Sequence, residues 1–239
     1  MSWKTVVFVL ASVGAVVYSL AAPDAQGFLN PGLARLIFFH LPCAFVTTGL
    51  IVHSAYLGWR YLATRDHRYD SRNTAAIELA LVFAALTMAT GILFSRVQWG
   101  SWWQNDSRQT SFLIVLLLCC AGVALRSGLL DEQKAAKASA AYSVATVLPM
   151  LFLIFALPRI IESFHPSDTI VQGKFDGAHW GGILLSLFVL VWATRVLYVE
   201  RTELSEKKYG VTNDPDRAGS ASPYPRRPVA VPKIGEGED

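Results

Sequence analysis

The chain reads as all-α: an integral membrane bundle of six transmembrane helices with a tryptophan-rich loop on its outer face. Three observations predict this. Of 239 residues, 53% are hydrophobic and only 16% charged, against about 25% charged in ordinary soluble domains. Six apolar runs, most near the ~20 residues that cross a ~30 Å hydrocarbon core, alternate with short polar stretches. No strand-like alternation of any length competes with them. The composition argues against a water-soluble enzyme and against a disordered chain. A net charge of only +3 implies no basic surface for nucleic acid.

The first run covers about 5–22 and ends in small residues, as a cleaved signal peptide does. Because further spans follow, it is read as an uncleaved first helix. The second, 33–62, would be ~45 Å long as a helix, so it must tilt or project, and Pro42 offers a kink near its start. The third covers 75–94. The fourth, 111–125, is FLIVLLLCCAGVAL after its first serine and carries no charge before Arg126. The fifth, 138–157, is interrupted by Pro149 and stopped by Pro158; the last covers 180–199.

Orientation follows from the basic residues. Alternate segments put 16 Lys and Arg on one side and 5 on the other: Arg35, Arg96, Arg108, Arg159 and Lys174. Without the distal Arg217, Arg226, Arg227 and Lys233 the ratio is still 12 to 5. The positive-inside rule then predicts that both termini face the cytoplasm. Residues 1–205 form the transmembrane domain. Residues 206–239, rich in Pro, Gly, Ser and charge, read as a flexible cytoplasmic tail. Cys43, Cys119 and Cys120 make no CxxC or CxxCH pattern, so neither a disulfide framework nor a covalently attached c-type haem is expected.

Chemistry concentrates on the outer side. The segment SRVQWGSWWQNDSRQT places Trp99, Trp102, Trp103 and Asp106 at i, i+3, i+4 and i+7, which a helix would gather on one face. Three of the seven tryptophans fall within five positions. From physics alone this is either an interfacial aromatic belt or a platform for a flat apolar ligand. Two or three histidines lie on the same side: His40 near the outer end of the second span, His165 in the loop after the fifth, and His179 at the start of the sixth. His53 lies ~20 Å deeper than His40 on the same helix and is expected to bond to a neighbouring helix. His67 falls among cytoplasmic charges. Two imidazoles flanking an aromatic loop read as ligands to a planar metal complex, and haem fits: neutral imidazole is a standard axial ligand, while the propionates need cations such as Arg108.

The string Trp99-Gly100-Ser101-Trp102-Trp103-Gln104-Asn105-Asp106, with Arg108 and Thr110 after it, resembles the "WWD" signature of haem-handling proteins in cytochrome c maturation. Together with six spans and His40-Leu41-Pro42, it is most similar to the haem exporter protein C branch (CcmC). The resemblance covers about 34–199. It implies a multi-pass protein of the bacterial inner membrane that holds haem transiently at the periplasmic face. The haem is then delivered to a periplasmic haem chaperone, beside ABC-transporter subunits, without catalysis by the chain itself. On this resemblance His40 and His165 are the axial ligands, and Trp99, Gly100, Trp102, Trp103 and Asp106 form the WWD loop. Two positions depart from the family. Asn105 stands where a further Trp is usual, and Arg159 to Phe164 lacks the tryptophans that normally precede the second histidine, which keeps His179 as an alternative. Other readings are a cytochrome b-like electron-transfer subunit and a small-solute transporter or structural membrane subunit. The first needs facing histidines on two spans; the second favours broken helices and midplane charges.

Overall fold

The computed structural model describes residues 3–25, 28–161, 163 and 175–209, all of which are helix or connecting coil. Six helices are long and apolar enough to cross a membrane. They are α1 (Trp3–Ala21), α2 (Ile37–Thr64), α3 (His67–Trp99), α4 (Ser107–Gly128), α5 (Glu132–Ile160) and α6 (Gly177–Tyr209). A 3₁₀ turn at Leu33–Leu36 leads into α2. The six expected spans are therefore present, although four run well beyond their apolar stretches.

The ends at the α2–α3 and α4–α5 links show why. The stretches around Arg60 to Arg72 and Arg126 to Lys137, read from charge as loops, are mostly helical. The α2–α3 link is only Arg65 and Asp66, with Arg65 left-handed at φ 59° and Asp66 capping α3 through the Arg68 N–H. Asp131 caps α5 in the same way through Gln133 and Lys134. A capping carboxylate satisfies first-turn N–H groups, so the helix starts at the cap and not at the first apolar residue. Hydropathy marks the lipid-crossing part only.

Pro42 lies buried inside α2, near its start. The prolines of the fifth span act differently from expectation. Pro149 does not interrupt α5. The lost i−4 hydrogen bond is followed closely by a π-helical turn at Phe152–Ala156, and helix then resumes through Pro158 to Ile160. Pro158 falls in the first turn of that last piece, where a missing N–H is tolerated, and Ile161 turns extended.

α2 and α3 form the heart of the bundle. α4 and α5 pack on one side, α6 on the other, and α1 rests on α6. The main core joins Cys43, Val46, Leu50 and Ile51 of α2 to Phe83 and Ala84 of α3, Val115 and Cys119 of α4, and Met150 of α5. In lipid, helices associate by close packing of small residues and by polar contacts, and both occur here. A Cβ on Gly58 would sit 2.7 Å from the Ala140 carbonyl oxygen, so α2 and α5 cross with backbones nearly touching. A Cβ on Gly182 would sit 2.8 Å from the Phe38 ring.

The half of the bundle nearer the α2–α3 and α4–α5 links holds a polar seam that no sequence pattern indicated. Asn73 Oδ1 accepts from Ser54 Oγ at 2.8 Å and Ser143 Oγ at 3.2 Å. Arg126 reaches Asp70 at 3.0 Å and Glu132 at 3.3 Å, all three nearly excluded from solvent. Arg201 pairs with Glu78 across α6 and α3 at 2.7 Å. The expected interhelical bond of His53 is present, 3.2 Å from the Tyr198 hydroxyl. α6 remains helical to Tyr209; residues 210–239, most of the predicted tail, lie outside the described residues.

Candidate functional site: the loop between α3 and α4

Chain order places residues 22–25, 28–36, 100–106, 161, 163 and 175–176 at one end of the bundle. α3 stops at Trp99 because Gly100 adopts φ +79°, the left-handed cap that glycine takes without steric cost. The expected single helical face of Trp99, Trp102, Trp103 and Asp106 is therefore not formed. Trp99 ends one helix, 101–106 is an irregular loop, and Asp106 begins the next.

The loop is held by its own polar side chains. Ser95 Oγ donates to the Ser101 carbonyl at 2.9 Å, and Ser101 Oγ to the Trp103 carbonyl at 2.8 Å. Gln109 folds back, its Nε2 donating to the Trp102 carbonyl at 3.1 Å and its Oε1 accepting from the Gln104 N–H at 3.0 Å. The Arg96 guanidinium bonds the Gly100 carbonyl and lies over the Trp102 ring, 5.8 Å from its centroid. Asn105 sits at φ 51°, where Asn is far better tolerated than Trp. The departure from the usual Trp thus has a local conformational reason.

The tryptophans diverge. Trp99 packs edge-on against Phe94 at 5.6 Å, joining a cluster with Phe28 and Phe175. Trp102 is exposed and Trp103 half-buried. The buried Asp106 carboxylate caps α4, accepting from the Arg108 backbone N–H at 2.9 Å. It also accepts from Ser163 Oγ at 3.0 Å, which ties the connection after α5 to the loop. Arg108 is half-buried, its Nε–H enclosed without a hydrogen-bond partner, and the charge of Arg159 acts on it. Asp106 therefore engages Arg108 through the backbone as a cap, leaving that Nε–H available.

His40 is brought to α3. Its Nδ1 lies 3.0 Å from Thr90 Oγ1, and Gly91 lies against Cε1. Eight residues separate Gly91 from Trp99, so the ring sits about 12 Å inward of the loop along the helix. His165 lies outside the described residues. His179 is buried between Phe38 and Phe175, with ring centroids at 6.0 and 5.4 Å. Its Nδ1 is 2.6 Å from Asp176, and its Nε2 is enclosed without a partner. The backbone and ring N–H groups of His179 hold the Asp176 carboxyl below its ordinary range. Phe38 and His40 are two residues apart, about 200° around a helix, so His179 and the His40 seat lie on opposite flanks of α2.

The fold and site thus define a class: a multi-pass helical membrane protein with a self-braced aromatic loop, arginines and a histidine at one end of its bundle. The Heme exporter protein C family profile matches residues 1–214, and the chain belongs to that family. It is 26% identical over 195 residues to heme exporter protein C of Bradyrhizobium diazoefficiens, covering 80% of this chain and 71% of that one. To the protein of the same name in Rhodobacter capsulatus it is 24% identical over 182 residues, 73% and 74% of the two chains. To that of Escherichia coli K12 it is 25% identical over 165 residues, 68% and 67%.

Proposed function

We propose that this chain holds haem at the periplasmic face of the inner membrane and delivers it to a periplasmic haem chaperone during c-type cytochrome biogenesis. In this reading it acts beside ABC-transporter subunits of the haem export machinery, with both termini cytoplasmic. Family membership supports haem handling within cytochrome c maturation. His40 and His165 are the axial ligands, the iron is oxidised, and the tryptophans cover the macrocycle and form the docking ledge. Delivery needs one imidazole to give way to the chaperone's own ligand, so a ligand on a loop suits the step.

The observation that carries the proposal is the Ser163–Asp106 hydrogen bond. The bond ties the start of the connection after α5 to the loop that bears the tryptophans, which supports a second ligand supplied from that connection. The residues present also fit the rest of the group. Arg108 offers an enclosed Nε–H that lacks an acceptor, with the Arg159 charge beside it, and a propionate carboxylate supplies that acceptor. The test is transfer. Haem-loaded protein in nanodiscs is mixed with a purified periplasmic haem chaperone, and covalent haem on the chaperone is followed against loss from the donor. Stoichiometric transfer, slowed at least tenfold by Trp102→Ala/Trp103→Ala, is expected. A donor that keeps its haem through repeated redox cycling and transfers none contradicts the proposal and favours the electron-transfer reading.

A further inference from the structure

We infer that Thr90 and Gly91 of α3 form a positioning seat for His40. The seat fixes the ring's tautomer and plane so that Nε2 presents its lone pair to the cargo iron; this rests on His40 being a haem ligand. Thr90 Oγ1 lies 2.8 Å from the Leu86 carbonyl oxygen and 3.1 Å from that of Thr87, and carbonyls only accept. The hydroxyl proton is therefore committed to the helix backbone. What Thr90 turns towards His40, at 3.0 Å, is an acceptor lone pair. Nδ1 must carry the hydrogen. In a neutral imidazole the basic lone pair then belongs to Nε2.

Gly91 sets the plane. A Cβ there would come within 3.1 Å of His40 Cε1 and 3.7 Å of Nδ1. The ring edge therefore lies directly on the α3 backbone, and a methyl group would push it off Thr90. Metal-binding histidines commonly donate their second N–H to an outer partner, and losing that partner costs about 10–100-fold in affinity or activity. The partner here is a neutral hydroxyl. His179, which faces the other flank of α2, has the Asp176 carboxylate instead. A hydroxyl polarises the imidazole less than a carboxylate does, which suits a ligand that holds its cargo for a limited time.

The experiment has a haem-free arm and a haem-loaded arm. In the first, histidine ¹⁵N shifts are recorded on labelled protein in bilayers, with His40 assigned by subtracting the His40→Ala spectrum. The expected result is the Nδ1–H tautomer in the wild type and in Thr90→Ser; an Nε2–H tautomer in the wild type overturns the inference. In the second, haem affinity and the ferric EPR signal are measured. Thr90→Val, which keeps the shape but loses the acceptor, is expected to weaken binding about tenfold or more and to shift the g-values. Thr90→Ser should restore both, and Gly91→Ala should shift the g-values. If His40→Ala abolishes one axial ligand while Thr90→Val and Gly91→Ala bind as the wild type does, the seat is refuted and the ligand reading stands. If His40→Ala retains unchanged six-coordinate haem, the ligand reading itself fails.

Discussion

Asp106 joins two jobs in one carboxylate, because it caps α4 and also receives Ser163 from the next outer connection. Asp106→Asn keeps a capping oxygen and should leave thermal stability in detergent nearly unchanged. Asp106→Ala removes both contacts and should cost about 1 kcal/mol, with red-shifted tryptophan emission as the loop loosens. Asp176 offers a pH test. His179 holds its carboxyl below the ordinary range, so its cap contribution is complete above the unfolded-state pKa and is lost as pH falls through the lower folded value. Hydrogen exchange at the first turn of α6 should therefore stay slow near neutral pH and accelerate only in acid below the usual carboxylate range. Asp176→Asn should abolish that dependence. Much of this residue-level chemistry was not readable from the chain. The 3.6-residue spacing of Trp99, Trp102, Trp103 and Asp106 implied one helix, but a glycine with positive φ and a capping aspartate divide that stretch. The Thr90–His40 contact links positions 50 residues apart, and no local pattern encodes such a pairing.

At the scale of elements, the apolar runs located every span but not its ends. Helix α3 gains residues at both ends beyond the predicted 75–94: Asp66 starts it in a charged stretch, and Gly100 stops it past the polar Ser95, Arg96 and Gln98. The Ser54–Asn73–Ser143 cluster has no local signature: Ser54 and Ser143 are small polar residues within apolar runs, Asn73 precedes the run 75–94, and only the packing of three helices brings them together. The glycines make the packing testable. Gly58 meets the Ala140 backbone, so Gly58→Val must force α2 from α5 and should cost about 1–3 kcal/mol. Gly49, on the same helix, has open space where its Cβ would stand, with nothing beyond its own helix backbone and chain neighbours within 4 Å, so Gly49→Ala should be neutral or slightly stabilising. Comparison of the two variants by detergent unfolding separates close packing from mere helix propensity.

For the whole molecule, composition and the six apolar runs carried the architecture, since a chain in lipid must satisfy its backbone within each helix; the asymmetry of Lys and Arg bears on orientation alone. The up-and-down order puts Ser101 at one end and Arg65 at the other. Ser101→Cys should react with a membrane-impermeant maleimide in intact spheroplasts, whereas Arg65→Cys should react only after lysis; the reverse pattern would invert the proposed orientation. The central claim is that imidazoles from α2 and from the connection beyond α5 meet on one iron beside the outer loop. The most direct measurement is the ferric optical and EPR spectrum of haem-loaded wild type beside His40→Ala, His165→Ala and His179→Ala. The account predicts six-coordinate low-spin haem in the wild type and in His179→Ala, and conversion to high-spin or loss of haem in each of the other two. Six-coordinate low-spin spectra that persist unaltered in both His40→Ala and His165→Ala would contradict it.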